Sequence, residues 1–423
     1  MELQWAHVKE PGQSGRESYC VDELGRGRCA NIFNGIVQGE IMFCYKKWVS
    51  PVLTASCLAL AGPAAAVDFS VNGDLRTGFY SLHRDDRNGT EDTTDELRLR
   101  VRAGIGAKFN EQWQAQVRFA GRYSTDDRNE LHFEIFNSIP ADDGLRRGDS
   151  TLDEIYVEYR PDPAWQVRLG RFQSKAELDG VAKKSLDRND SPNTDITWTD
   201  GVQVKHKSLS GWVTTAIAQY NDSEGATQVR HAPLDFRDDG SRVSYFVGLE
   251  NKQKSGPIVQ RAVDITLLPD ALHSGGVGVG PVEDYWGLVG RLAGQWPMNV
   301  SASMKFMLAG EVGYAPNTPQ RSVVRTGTSG DADGLAAQIT FNFIDIVPKH
   351  SAGLVFGRAG DGWLLSPDFG PNTNLVELRY KWAIDKKQTL EARARNREDI
   401  HQRVGSLYKR EDVDFYVRYT FKL

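Results

Sequence analysis

The chain has 423 residues, of which 40% are hydrophobic and 25% are charged, and its mean hydropathy is −0.47. This average excludes a bundle of membrane helices, which needs several apolar runs of about 20 residues, but it permits a membrane β-barrel, whose strands are apolar only at alternate positions. An aromatic content of 10% is too high for a disordered chain, and 51 basic residues against 56 acidic ones, a net charge of −5, argue against nucleic-acid binding.

A long apolar run lies near the start of the chain, between residues 48 and 67. Lys46 and Lys47 precede it, and it ends in three alanines. A basic flank, a short apolar core and an ending of small residues form the layout of a secretory signal peptide. We therefore predict a signal peptide at residues 42–66 and a mature chain that begins near Val67.

Two other interpretations of this run are disfavoured. A membrane-anchoring helix would be interrupted by Pro51 and Pro63, which break helical hydrogen bonding. A lipoprotein would use Cys57 as the lipidated residue, but Thr54 stands where a large aliphatic residue is usual, and the apolar run continues past the cysteine.

Residues 1–41 are polar and glycine-rich without clear periodicity, and Met42 would make a sensible start. We interpret residues 1–41 as an upstream extension that the native protein lacks. All four cysteines precede the proposed cleavage site, at positions 20, 29, 44 and 57. A mature chain without cysteine is usual for an outer-membrane barrel, whereas a secreted disulfide scaffold would carry many cysteines.

From Val67 onward the hydrophobic pattern has a period of two residues. In residues 96–109, apolar side chains occupy the odd positions, while Arg98, Arg100 and Arg102 occupy even ones. Alternate residues of a strand point to opposite sides of a sheet, whereas a helix would scatter these arginines around its circumference. The same alternation predicts sixteen strands, at residues 69–80, 96–109, 113–123, 152–160, 165–172, 201–207, 212–220, 242–250, 260–268, 286–296, 304–314, 335–343, 351–358, 375–382, 389–397 and 413–423.

The connections between these strands alternate in length. Those after even-numbered strands are short, such as 110–112 and 161–164, and most of those after odd-numbered strands are long and polar, such as 81–95 and 173–200. Short turns at one end and long loops at the other are typical of membrane barrels, and tryptophans near the strand ends fit an aromatic girdle. We therefore predict an all-β fold, a transmembrane antiparallel up-and-down β-barrel of about sixteen strands (14–18).

Three segments resemble Gram-negative outer-membrane porins. Residues 152–159 followed by 167–172 resemble the porin unit in which an aromatic strand precedes a Leu-Gly-Arg strand. The closing strand 415–423 resembles the C-terminal targeting signal of outer-membrane barrels, although it ends in Leu423. The resemblance covers residues 67–423 and implies a porin-type barrel in the bacterial outer membrane.

The resemblance also implies that the third external loop, residues 173–200, folds into the lumen and constricts it. An ordinary solvated surface loop is the alternative. The charged residues of this loop are Lys175, Glu177, Asp179, Lys183, Lys184, Asp187, Arg188 and Asp190. We expect its carboxylates to face the basic side of the lumen.

The basic side of the lumen is predicted from strand parity. Arginine facing lipid at the bilayer midplane costs about 2–4 kcal/mol on a barrel, so the arginine-bearing faces should line water. Ten arginines on the first three and last two strands share this face: Arg76, Arg98, Arg100, Arg102, Arg118, Arg122, Arg393, Arg395, Arg397 and Arg418. Closure of the barrel joins them into one wall, which predicts a preference for anions. The alternative is that Asp74, Glu96, Glu158 and Glu391 pair with the arginines, which then only keep the lumen wet.

Four pairs of adjacent aspartates lie in predicted external loops, at positions 85–86, 126–127, 142–143 and 238–239. Such carboxylates could bind divalent cations that bridge lipopolysaccharide, but turn formation and solubility explain them as readily. We predict no metal site and no cofactor.

The sequence thus predicts an outer-membrane porin, a passive diffusion channel for small hydrophilic solutes with a preference for anions. Its partners would be these solutes, outer-membrane lipid and lipopolysaccharide, with no nucleic acid, and a homotrimer is left open. The main rival is a barrel enzyme of the phospholipase or protease type, although neither a Gly-x-Ser-x-Gly nor a His-Glu-x-x-His motif occurs. Arginine-alternating strands argue against a soluble sugar-binding protein, and size argues against a TonB-dependent transporter.

Overall fold

The computed structural model describes residues 67–125, 132–133, 149–190, 193–221, 242–273, 282–300, 303–368 and 370–423. The predicted leader and the upstream extension lie outside the described residues. So do three of the four aspartate pairs, those at 126–127, 142–143 and 238–239.

The described residues form nineteen strands and one helical turn. The strands are β1 (Asp68–Asp85), β2 (Glu91–Lys108), β3 (Trp113–Ser124), β4 (His132–Phe133), β5 (Asp149–Tyr159), β6 (Trp165–Phe172), β7 (Lys175–Leu178), β8 (Lys184–Asn189), β9 (Thr199–Lys207), β10 (Trp212–Asn221), β11 (Arg242–Lys252), β12 (Ile258–His273), β13 (Val282–Pro297), β14 (Lys305–Tyr314), β15 (Leu335–Val347), β16 (His350–Ala359), β17 (Thr373–Ala383), β18 (Gln388–Asp399) and β19 (Glu411–Lys422). The helical turn α1 is Arg321–Val324. Within the described ranges, no helix is long and apolar enough to cross a membrane.

Sixteen of the described strands form one closed antiparallel barrel, as the sequence predicts. Each pairs with the next along the chain, and β1 closes the ring by pairing with β19, where Arg76 lies opposite Thr420. Three strands lie outside this succession. β4 makes a two-residue parallel pair with β5, and β7 and β8 form a separate two-stranded sheet in the connection between β6 and β9. Closure leaves no barrel strand with an unpaired edge.

The apolar side of the barrel strands faces outward. On β2, Leu97 is 56% exposed and Ile105 58%, whereas Arg98 is 7% exposed and Arg100 is fully buried. Large apolar side chains also lie exposed along β19, such as Val417. A continuous apolar outer surface is unfavourable in water and favourable in lipid, so the orientation predicted from the period-two pattern is confirmed.

The first external connection is shorter than the predicted loop at 81–95. β1 and β2 stay in register until Asp85 lies opposite Glu91, so only residues 86–90 connect them. Gly89 adopts a φ of 84°, which glycine tolerates best and which allows the tight turn. Two β-branched threonines, at 93 and 94, favour the extension of β2.

Candidate functional site

The ten predicted arginines lie on the inward face of five adjacent barrel strands. Arg393, Arg395 and Arg397 alternate along β18, and Arg418 lies on β19. The set continues through Arg76 on β1 and the arginines of β2 and β3, because β1 pairs with both β19 and β2. We call these ten residues the arginine wall.

Two aspartates in the wall each lie within 3.9 Å of three arginines. Asp74 accepts a hydrogen bond from Nη2 of Arg100 at 2.7 Å, and the nearest nitrogens of Arg76 and Arg102 lie 3.8 Å from its oxygens. Arg102 has a nearer partner in Asp153 at 2.8 Å, so Asp74 is shared chiefly by Arg76 and Arg100, and one carboxylate facing two cations leaves a local excess of positive charge.

Asp414 has the same role on β19. Nε of Arg395 donates to Asp414 at 2.6 Å, Arg393 donates to its other oxygen, and Nη2 of Arg397 is 3.9 Å away. Because β19 pairs with β1, the two groups occupy neighbouring strands of one wall.

Other carboxylates neutralise part of the wall. Arg102 and Arg118 both contact Asp153 of β5 at 2.8 Å, Arg98 pairs with Glu96, and Arg418 pairs with Glu391. Glu158, which sequence reasoning offered as a further partner, instead pairs with Arg160 at 2.6 Å and Arg168 at 2.5 Å. The sequence left two alternatives, a basic wall and a wall whose arginines are all paired. The geometry lies between them, since every arginine of the wall has a carboxylate neighbour but several arginines share one.

Two tyrosines lie among the arginines. The ring centroids of Tyr80 and Tyr416 are 5.2 Å apart. The guanidinium of Arg98 lies 4.4 Å from the Tyr80 centroid, and those of Arg393 and Arg418 lie 4.3 and 5.0 Å from the Tyr416 centroid. Cation–π contacts of this kind contribute about 0.5–2 kcal/mol each and hold neighbouring guanidinium groups in place. Both tyrosines share the parity of the arginines, which is the signal that sequence reasoning overlooked.

The third loop occupies residues 173–198 in the structure and hydrogen-bonds to inward side chains of the opposite strands. The backbone N–H of Asp179 donates to Gln260 of β12 at 2.9 Å, and that of Val181 donates to Asn342 of β15 at 2.8 Å. Nη1 of Arg291 on β13 donates to the carbonyl of Ala176 at 3.0 Å. The β7–β8 hairpin is therefore fastened to the β12–β15 side of the barrel.

The end of the third loop lies against the arginine wall. The carbonyl of Asn193 accepts from Arg76 at 2.5 Å, and the carbonyl of Asp195 accepts from Arg100 at 3.2 Å. The Asp195 carboxylate is 3.7 Å from Arg122. Burial raises the pKa of Asp195 to about 6, against the lowering effect of the nearby arginines.

The charged residues of the third loop differ in their exposure and in the part of the barrel that they contact. Lys175 and Lys183 are exposed. The side chain of Lys175 is 43% exposed, but its position inside the barrel removes part of its hydration and lowers its pKa. Glu177 raises this pKa, and Arg76, Arg102 and Arg100 lower it. Glu177 pairs weakly with Lys175 at 3.8 Å.

The other charged residues of the loop contact barrel strands outside the arginine wall or the loop itself. Asp179 contacts Lys252 at 3.0 Å, Lys184 contacts Glu377 at 2.7 Å, and Asp187 accepts from Thr266 at 2.7 Å.

Two of these residues are held next to the base of the loop. Asp190 accepts from the backbone N–H of Ser174 at 2.7 Å, and Arg188 donates to Thr199 at 3.1 Å. Three of the carboxylates expected to oppose the arginines are therefore engaged elsewhere, Asp179 by Lys252, Asp187 by Thr266 and Asp190 by Ser174. Asp195 of the same loop does face an arginine of the wall, Arg122.

The structure adds inward charges that sequence reasoning missed. Arg379 on β17 contacts Glu377 at 2.6 Å, and Arg291 on β13 contacts Glu311 at 3.2 Å. Both alternate with outward apolar residues, so the parity rule could have found them. Trp363 in the β16–β17 connection is fully buried, and no local pattern marks it.

One group of described residues offers metal-ligand atoms close together. His83, Asp85 and Glu91 each place such an atom within 4.8 Å of the others, at the outer end of the first hairpin. His83 also contacts Thr93 at 2.9 Å. All three side chains are exposed, and exposed acidic groups of this kind are common without a metal.

No family model and no curated protein matches the chain. Solved structures do. OprB of Pseudomonas putida aligns with a TM-score of 0.57 and 10% identity over 84% of this chain and 94% of that chain. The fold is that of an outer-membrane porin. This fold and the apolar outer surface of the barrel place the chain in the bacterial outer membrane.

Two further structures are similar at lower scores. The outer-membrane channel DcaP of Acinetobacter baumannii aligns with a TM-score of 0.49 and 15% identity over 85% of this chain and 98% of that chain. An anion-selective porin from Comamonas acidovorans aligns with a TM-score of 0.47 and 11% identity, over 84% of this chain and all of that chain.

Proposed function

We propose that this chain is a passive outer-membrane diffusion channel for small hydrophilic solutes and that it prefers anions. The fold and the polar inward face support a water-filled path, since a barrel of sixteen strands encloses a lumen. Solutes would move down their gradient without a cofactor.

The anion preference is supported chiefly by the two shared aspartates. Arg76 and Arg100 share Asp74, and Arg393 and Arg395 share Asp414, so each of these carboxylates faces two arginines and cannot neutralise both. The third neighbour of each has a nearer partner, Asp153 for Arg102 and Asp412 for Arg397. Charge of one sign along a water-filled path inside a low-dielectric shell attracts the opposite ion and repels its own sign. The carboxylates that do pair with arginines weaken this field, so the preference should be moderate.

The third loop is proposed as the constriction. Lys175 of this loop is exposed and has the same sign as the arginines of the wall, and Glu177 at 3.8 Å offsets part of its charge. A cation on the loop and cations on the wall would give the narrow part of the path the same sign on two sides. This arrangement adds to the proposed preference for anions rather than opposing it.

A salt gradient across a planar bilayer tests the proposal. The purified chain should insert and give discrete conductance steps, and the reversal potential in a tenfold KCl gradient should have the sign of an anion-preferring channel. The variant Glu111→Gln, in an exposed periplasmic turn, changes net charge without touching the wall and should give the same reversal potential. Discrete channels with a clear cation preference would overturn the anion preference, and the lack of any channel would overturn the function.

We also propose that residues 42–66 act as a signal peptide that is removed on export, with residues 1–41 absent from the native product. Sequencing the N-terminus of outer-membrane material should give a start near Val67. A product that retains Met1 would contradict both parts of this proposal.

The sequence analysis left a homotrimer open. Chemical cross-linking of the chain in the membrane would test it.

A further inference from the structure

Part of the barrel interior is apolar. The inward faces of β12 and β13 carry Leu268, Leu272, Tyr285 and Val289, all buried. A lumen that conducts hydrophilic solutes is polar along its path. Apolar side chains here would face water if nothing covered them.

A segment of the β16–β17 connection covers this region. We call residues 360–368 the strap. Trp363, Leu364 and Leu365 of the strap are buried in the same apolar cluster as the inward residues of β12 and β13. The hydroxyl of Tyr285 donates to the carbonyl of Gly362 at 3.1 Å and accepts from the N–H of Leu364 at 2.9 Å.

Two glycines of the barrel make room for the strap. A Cβ on Gly313 of β14 would lie 2.7 Å from the Trp363 ring, and a Cβ on Gly287 of β13 would lie 2.3 Å from Leu365. Real side chains do not approach so closely. The inward face is therefore shaped to receive these two side chains.

The strap is also bonded to the third loop. Nε1 of Trp363 donates to the carbonyl of Leu186 at 2.9 Å, and the hydroxyl of Ser366 donates to the carbonyl of Ser185 at 3.2 Å. In the other direction, the backbone N–H of Ser185 donates to Asp368 at 2.8 Å. Leu186 itself is fully buried in the shared apolar cluster. These contacts join two connections that are far apart in the chain.

We propose that the strap fixes the third loop against the β12–β15 side of the barrel and that Trp363 is the positioning residue that sets the size of the solute path. This inference rests on the proposed channel function. Because the strap and the β7–β8 hairpin fill the apolar half of the interior, solutes are confined to the half lined by the arginine wall. Loss of the Trp363 side chain frees volume on the apolar side and releases Leu186, so the third loop can withdraw and the path widens.

Liposome swelling with solutes of graded size tests the role of Trp363. In Trp363→Ala, swelling in the trisaccharide raffinose relative to the pentose arabinose should rise by about threefold, because a wider constriction favours the larger solute most. Trp363→Phe keeps most of the apolar contact and should stay nearer the parent. Trp286→Ala removes an exposed tryptophan of β13 on the outer face and should match the parent. A heat-modifiable band on gels identifies folded barrels, and a folded Trp363→Ala barrel with the parental ratio would overturn the proposal.

A cysteine pair tests the strap independently of transport. In a chain whose cysteines at positions 20, 29, 44 and 57 are replaced by serine, Ser185→Cys with Ser366→Cys should be cross-linked in the folded barrel by a short bifunctional methanethiosulfonate, whereas the same chain without the pair should show no such product. In the Trp363→Ala background, cross-linking should restore the parental swelling ratio, and a reductant should reverse it. Failure of the pair to cross-link in folded barrels would refute the contact between strap and loop. A parent chain that does not conduct would refute the channel function, and the cross-linking result would still decide the strap.

Discussion

Replacement of Asp414 by asparagine isolates the contribution of one shared carboxylate. Arg393 and Arg395 donate to different oxygens of Asp414. Asparagine has the same shape and keeps one acceptor oxygen, so one of these two hydrogen bonds can persist and the other is lost. Arg393 and Arg395 would then lose the carboxylate that offsets their charge, while Arg397 keeps Asp412 at 3.1 Å. We expect the preference for anions to increase.

The size of this change follows from Coulomb's law. A unit charge about 10 Å from a passing ion, in an environment as polar as water, interacts with it by about 0.4 kcal/mol. Removal of the negative charge therefore raises the concentration of anions in this part of the path by roughly a factor of two and lowers that of cations by roughly the same factor. At 0.1 M salt the Debye length is about 10 Å, and screening reduces the combined effect to about twofold. In more dilute salt the effect should grow.

The assay is the reversal potential in a KCl gradient, measured at two ionic strengths for Asp414→Asn, the parent and Glu111→Gln. The loss of a charged hydrogen-bond acceptor should cost about 1–3 kcal/mol of stability, so folded barrels are selected by heat-modifiability before reconstitution. A folded Asp414→Asn barrel with the parental permeability ratio at both ionic strengths, or with a greater permeability to cations, would refute the role assigned to Asp414.

Three further outcomes are expected. Burial raises the pKa of Asp195 to about 6, so acidification from about pH 7.5 to 5 should neutralise its carboxylate and increase the anion preference measured by the reversal potential. The change should have a midpoint near pH 6 and should be absent in Asp195→Asn. A reversal potential of the parent that does not change with pH would contradict this. Lys184→Met removes one of the two cations that contact the buried carboxylate of Glu377, since Arg379 remains 2.6 Å from it. This variant should lower stability by about 1.5–3 kcal/mol, as measured by urea unfolding, whereas Lys183→Met, at an exposed position of the same loop, should not. Equal stabilities of the two variants would argue against the pair. Val101→Arg, on the exposed face of β2, should destabilise the barrel in lipid by about 2–4 kcal/mol, and an unchanged unfolding midpoint would mean that this face does not contact hydrocarbon.

The sequence alone was sufficient for the number of barrel strands and for their orientation, although it did not predict β4, β7 and β8. Alternation of Leu97 and Ile105 with the arginines of β2 is a local property, because each residue's side of a strand depends only on its parity. The requirement that no strand edge face lipid then leaves closure as the solution. Strand ends were less certain, as the long first hairpin shows, since cross-strand pairing extends β1 and β2 beyond the clear alternation.

Only the tertiary structure decided which charges pair and what fills the interior. Parity puts Glu158 and the arginines on the same face, but it does not say that Glu158 contacts Arg168 or that three arginines share Asp414. Trp363 reaches a carbonyl that lies 177 residues earlier in the chain, and no periodicity in its own segment encodes that contact. Side-chain direction along a strand is set by neighbours in sequence, whereas pairing across a lumen is set by the distance between strands after the barrel has closed.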